Sequence, residues 1–225
     1  MLKPNYLIAG TLALLLAATT ALAQDKPTEP ARPEDPGILT VRTFAFAAVP
    51  GQCDERTADN AEMAKDATYP LTWKDNYGDP PAEHKATLFE IYCYSGAYNT
   101  SNLYVVKDEE NKLSLVSFAS PTFDVAYADG DDTETKLKRD PIVTGYATSV
   151  FLTNPSFDEK TRTLSEYSKW RGLGDAWSAG DWQFRDGQFV LTRFEIDPIY
   201  EANIDNAPQK LADKSFQLFP PPKRK

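Results

Sequence analysis

Few residues in this 225-residue chain have the types and spacing that chemistry needs. The sole histidine, His84, falls in a proline-rich stretch read as ordinary surface loop, and no Gly-x-Ser-x-Gly surrounds a serine. A Ser-His-Asp or Cys-His arrangement would have to be built on that one imidazole. Zinc needs clustered His and Cys, which one histidine and two cysteines 40 residues apart do not provide. Asp129 to Glu134 (DGDDTE) offers carboxylates for calcium. Set on an EF-hand loop with Gly130 sixth, its first and third positions fall on Val125 and Tyr127, so the run reads as a solvated acidic loop. Gly172-x-Gly174 lacks the third glycine and following helix of a dinucleotide turn. Two options remain. Asp175 and Asp181 are a carboxylate pair of the kind a glycoside hydrolase holds about 5–10 Å apart. Arg171, four residues before Asp175, and Trp177, two after it, together offer an anion-binding group and a stacking face.

Arg171, Asp175, Trp177 and Asp181 all lie within Thr163 to Phe194, which holds three of the four tryptophans, Trp170, Trp177 and Trp182. Asp186-Gly187 is a two-residue type I′ turn signal, because both central positions take positive φ. That turn sets Arg185 opposite Gln188, Phe184 opposite Phe189, Gln183 opposite Val190 and Trp182 opposite Leu191. The period-2 alternation then puts Trp182, Phe184, Phe189 and Leu191 on one face, which the rest of the domain must cover.

Three short signatures carry a family resemblance: GAYN (Gly96–Asn99) after Cys93, KWRGLGD (Lys169–Asp175), and the W-x-F-x-D-G-x-F hairpin (Trp182–Phe189). Their order and spacing resemble the bacterial domain-of-unknown-function family 1176, over roughly Cys53 to Phe194, and the Asn-Pro-x-Phe-Asp run at Asn154 to Asp158 fits the same pattern. The resemblance implies a secreted bacterial protein and brings no established activity. Many members carry a cysteine directly after the Gly-Asp and a partner downstream. Here Ala176 stands at that position and no cysteine follows Cys93, so the chain lacks the family's second cysteine pair and can house no redox or metal site built on it.

The N-terminus reads as an export signal. Lys3 is its basic region, Leu7 to Ala18 its apolar run, and Ala21-Leu22-Ala23 a small-x-small cleavage site before Gln24. The apolar run is shorter than the ~20 residues of a membrane span. Cleavage removes one positive charge, taking the formal charge from −9 to −10. Such acidity argues against nucleic acid and anionic lipid surfaces as partners. Residues 24–37, with four prolines and no large apolar side chain, read as a leader with nothing to bury, and 220–225 as a flexible basic tail. Between them, 38–219 fits a single β-rich domain. Two cysteines in an exported chain predict a Cys53–Cys93 disulfide.

Within that domain Ile38 to Val49, β-branched and aromatic, predicts a first strand stopped by Pro50-Gly51, and alanines at near-helical spacing predict a short helix over Glu55 to Asp66. Asn76 to Pro81 reads as loop. Strands are expected at Tyr69–Trp73, Thr87–Tyr94, Asn102–Lys107, Lys112–Phe118, Phe123–Tyr127, Ile142–Ala147, Ser149–Thr153 and Arg162–Tyr167. One helical turn is expected at Pro208. The succession predicts a mainly β fold, an antiparallel meander closed as a barrel or sandwich, with one or two short helices.

The resulting functional expectation is an exported, noncatalytic envelope module in the periplasm or medium, with no cofactor or metal and no membrane insertion after cleavage, binding a protein or glycan. Its candidate binding residues are Tyr98, Asn99, Arg171, Asp175 and Trp177, where the GAYN and GLGD turns meet. The alternative is a carboxylate-based hydrolase of cell-wall sugar.

Overall fold

Val41, Ala45 and Val49 recur at four-residue intervals, and that stripe decides the conformation of the first element. In the computed structural model, which describes residues 36–57, 59–204 and 214–220, this segment is a helix, α1 (Pro36–Ala48), where a strand is expected from its composition. Pro36 suits the first helical turn, where an N–H would be orphaned anyway. The stripe lies on the outer face of a sheet, against Phe89, Ile91, Leu103 and Val105. Tertiary packing of that stripe outweighs local β-propensity. Residues 1–23, 24–35 and 221–225, and the expected turn at Pro208, lie outside the described residues, while Pro36 and Gly37 of the expected leader already belong to α1.

Glu55 to Asp66 is not the expected helix but a run of turns. Side chains take over backbone groups there: Thr57 N donates to Asn60 Oδ1 at 2.9 Å, and Asn60 Nδ2 donates to the Glu55 carbonyl at 2.8 Å. Asp66 gathers Arg42 and Arg56 in ion pairs and accepts the Tyr92 N–H at 3.0 Å. Cys53 and Cys93 form the expected disulfide, which ties this connection to the first sheet.

Two antiparallel five-stranded sheets follow. The first has the order β1 (Ala67–Gly78), β2 (Pro81–Ser95), β3 (Thr100–Asp108) and β4 (Leu113–Leu115), with β7 (Phe151–Thr153) also on β3. The second runs β12 (Phe216–Phe219), β11 (Gln188–Asp197), β10 (Trp177–Arg185), β9 (Thr163–Lys169), β8 (Ser156–Asp158). β5 (Phe118–Asp124) and β6 (Ile142–Ser149) make a separate pair. The arrangement is sandwich-like: Leu71, Leu88 and Tyr104 of the first sheet share a core with Leu164, Trp182, Phe184 and Ile196 of the second. Central strands of the first sheet are covered on both faces, by α1 outside and by the second sheet inside, so β2 reads as an almost continuous apolar run from Leu88 to Cys93. β1 and β2 extend well beyond the expected Tyr69–Trp73 and Thr87–Tyr94, and they reduce the loop expected at Asn76–Pro81 to a tight connection.

The β10–β11 hairpin has the register the sequence predicts, from Arg185 opposite Gln188 to Trp182 opposite Leu191, with positive φ at Asp186 (48°) and Gly187 (82°). Trp182 is wholly buried and donates its indole N–H to the Ala119 carbonyl at 2.8 Å. The indole curls back over Gly180, where an added Cβ would stand 2.4 Å from Trp182 Cη2. Only glycine leaves that room.

Candidate functional site

The GAYN and GLGD turns do meet, and Asn99 and Asn154 are the joint. Asn99 Nδ2 donates to the Lys169 carbonyl at 2.9 Å. Asn154 Nδ2 donates to Asn99 Oδ1 and to the Tyr167 carbonyl, both at 2.8 Å; the Asn154 N–H donates to the Thr100 carbonyl at 2.7 Å, and Asn154 Oδ1 accepts the Thr100 N–H at 2.8 Å. Tyr98 Oη donates to the Trp170 carbonyl at 3.1 Å, and its ring lies against Gly172, 3.5 Å from where a Cβ would be. The stretch around Asn99 therefore closes on two others, 55 and 70 residues further along the chain, through amide side chains and main-chain carbonyls. A family model described as a protein of unknown function, DUF1176, matches residues 20–199. The chain belongs to the DUF1176 family. One relative of this DUF1176 protein, the uncharacterised protein YpfG of Escherichia coli strain K12, is 30% identical over 113 residues, which is 49% of this chain and 27% of that one. The chain thus spans about a quarter of the relative's length. No solved structure matches.

In this DUF1176 chain Arg171 and Asp175 at the junction are already engaged. Arg171 Nε donates to Asp175 Oδ1 at 2.8 Å, Nη2 pairs with the other carboxylate oxygen, and Nη1 donates to Asn203 Oδ1 at 2.9 Å. The guanidinium also lies over the Tyr200 ring, 4.8 Å from its centroid. Asp175 accepts the Ala202 N–H at 3.1 Å as well. The hydrogen bonds from Arg171 hold its carboxyl down at about 2. Trp177 packs on Tyr167, ring centroids 5.4 Å apart. The junction is a clamp between the two sheets, with Tyr98 and Asn99 also lining a shallow groove of about 330 Å³.

Asp181, the other half of the carboxylate pair, sits in β10 opposite Arg193, whose Nε donates to it at 2.7 Å. The four residues from Trp177 to Asp181 span about 13 Å of strand, with Asp175 further back in the turn. Each acid serves its own arginine. The acidic loop is organised by Asp131, which accepts the backbone N–H groups of Thr133, Thr135 and Lys136 at 3.2, 2.9 and 2.7 Å, and Asp129 is paired with Lys138. Glu166 is different. It stands in β9 opposite Gly180 and has no ion pair among the described residues; it accepts only the Thr153 N–H, at 3.2 Å. Burial pushes its carboxyl up to about 7, against the opposing pull of that hydrogen bond.

Sequence reasoning missed a second region, at the far end of β10. His84 is not in a loop: it is part of β2, pairs with Trp73, stacks on it with centroids 5.1 Å apart, and approaches Asp75 Oδ1 at 3.0 Å. Trp73 also meets Phe184 edge-on at 5.4 Å. Beside this aromatic group a cleft of about 650 Å³ opens between β1 and the β10–β11 hairpin, lined by Thr72, Trp73, Lys74, Arg162, Gln183 and Arg185 among others. Arg162 Nη1 donates to the Thr72 carbonyl at 2.6 Å, and Arg185 Nε to Gln183 Oε1 at 2.8 Å. No local signal marks this cleft, because Thr72 and Arg162 are ninety residues apart and meet only through the packing of the two sheets.

Proposed function

We propose that this DUF1176 protein is an exported, noncatalytic module of the bacterial cell envelope that binds a protein or glycan partner. The observation that carries the reading is the open cleft beside Trp73, where aromatic, cationic and amide groups converge on space wide enough for a ligand. Export is supported by the basic, apolar and small-x-small order of residues 1–23 and by a Cys53–Cys93 disulfide of the kind that persists in oxidising compartments. Among the described residues no helix is long and apolar enough to cross a membrane. Arg171, engaged by Asp175, Asn203 and Tyr200, supports a clamp better than an anion-binding role. The hydrolase reading draws less support, since Asp175 and Asp181 are each held by an arginine at separate stations along β10.

The test is to recover the exported protein, measure its intact mass and pass it over purified envelope fractions. The expected mass lacks residues 1–23 and the two thiol hydrogens of Cys53 and Cys93, and the protein is retained by a peptidoglycan or outer-membrane fraction. Retention by no envelope fraction removes the binding reading. New reducing ends released from purified glycan would instead favour the hydrolase.

A further inference from the structure

We propose that the cleft between β1 and the β10–β11 hairpin binds an anionic saccharide, one bearing carboxylate or phosphate groups. The proposal rests on the binding-module reading and names the ligand class for the same site. Its first support is the placement of arginines. Among the described residues Arg42, Arg56, Arg139, Arg171 and Arg193 each pair with a carboxylate. Arg162 and Arg185 pair with none, in a chain with 33 acidic against 24 basic residues, and both line this cleft. Neutral groups hold them instead, the Thr72 carbonyl and the Gln183 amide. Their cationic charge is therefore positioned without an ion pair, and with Lys74 the cations of the lining outnumber its two carboxylates, Glu83 and Asp186, which is the balance a preorganised anion site requires.

Arg162 has a positive φ of 53°, in the turn between β8 and β9. A long side chain is uncommon there, and such strained positions concentrate at binding sites. The remaining lining suits a sugar. The half-buried Trp73 indole, fixed by His84 and Phe184, provides an apolar wall, while Gln183, Glu83 and Asp186 offer acceptors for hydroxyl groups. An extended acidic peptide fits less well. β1 is the edge strand of its sheet, but Arg162 already occupies the Thr72 carbonyl that an added strand would use.

The test is calorimetric titration of the mature protein with oligogalacturonate, glucose 1-phosphate, a neutral oligosaccharide of matched length and an oligo-glutamate peptide. Oligogalacturonate or the sugar phosphate should bind, and which of them does assigns the anion as carboxylate or phosphate. The neutral sugar should bind at least about tenfold more weakly, and Arg162→Asn and Arg185→Gln should each lower affinity by about tenfold. Raising salt from roughly 50 to 200 mM should weaken binding, and Arg139→Gln should leave it unchanged. Melting curves accompany each variant; if Arg162→Asn loses stability, the exposed Arg185→Gln carries the comparison. Equal affinity for acidic and neutral sugar, binding of the peptide without the sugars, no binding of either anionic sugar, or full affinity in Arg185→Gln overturns the proposal. Envelope retention that survives both cleft substitutions overturns it while leaving the module reading intact. Retention by no fraction removes the module reading itself.

Discussion

At its Trp177 end, β10 emerges from a turn in which Arg171 and Asp175 are locked together; at its Arg185 end it enters a hairpin beside two arginines that form no ion pair among the described residues. The first end carries two of the family's signatures, GAYN and KWRGLGD; the second carries the W-x-F-x-D-G-x-F hairpin, in which the cleft residues Gln183 and Arg185 fill unspecified positions. Signature residues here mark a mechanical need. Tyr98, Asn99 and Asn154 satisfy main-chain carbonyls where two sheets are pinned, and a buried polar group left without a partner costs about 1–3 kcal/mol. A ligand cleft carries no such obligation toward the fold, so its residues leave no fixed local pattern.

Four substitutions test that contrast, the largest effect first. Trp182→Ala, midway along β10, should cost about 3–5 kcal/mol, because it empties the shared core and orphans the Ala119 carbonyl. A variant that melts like the parent would mean the two ends are not coupled through this core. Arg171→Ala should cost about 1–3 kcal/mol, less than a fully buried pair, since the arginine side chain is 28% exposed. Asp175 has a lowered carboxyl, so its contribution is complete above its ordinary value of 3.8 and disappears as pH falls through about 2. The difference between variant and parent in urea melts should therefore be flat from pH 5 to 8 and shrink toward pH 2; a difference that instead grows in acid contradicts the clamp.

Glu166 has the opposite sign. Its carboxyl is raised from 4.5 to about 7, so the folded state holds the proton more tightly than the unfolded chain. That contribution is complete below 4.5 and is lost as pH rises through about 7. Glu166→Gln should match the parent in acid and exceed it at pH 8, by at most about 3 kcal/mol. Parallel stability curves for the two across this range would show that Glu166 is solvated. Arg185→Gln, at the open end, should change stability by less than about 0.5 kcal/mol. A loss near that of Arg171→Ala would make the cleft arginine another structural clamp.

The hairpin was fully legible in the sequence because its period and its turn chemistry agree: Asp186-Gly187 fixes the register, and Trp182, Phe184 and Leu191 fill one buried face. The four-residue spacing of Arg171 and Asp175 across a turn is short-range information too, but it is read as an anion-binding group beside a carboxylate, and only the structure shows the two engaged with each other. α1 was not, because its β-branched and aromatic content suggests a strand, and only its partner face shows that Val41, Ala45 and Val49 form one stripe. The alanines of Glu55–Asp66 misled in the other direction, since Asn60 and Arg56 draw that backbone away from helical bonding. His84 reads as loop because Pro80 and Pro81 precede it, yet the turn there is tight enough that β2 begins at Pro81.

α1 also imposes an order in time. It is synthesised before every described strand, yet the surface on which it rests is made by Phe89 and Ile91 of β2 and Leu103 and Val105 of β3, some fifty residues later. Until those strands pair, the Val41, Ala45 and Val49 stripe has no place to dock, and an unaccompanied amphipathic helix of thirteen residues is marginal in water. The unpaired chain therefore carries an apolar segment that something else must shield, and a chaperone that recognises short apolar stretches would have this one to hold. Once the first sheet has formed, the bond between Cys53 and Cys93 fastens the helix's trailing end beside it, and the period of exposure closes.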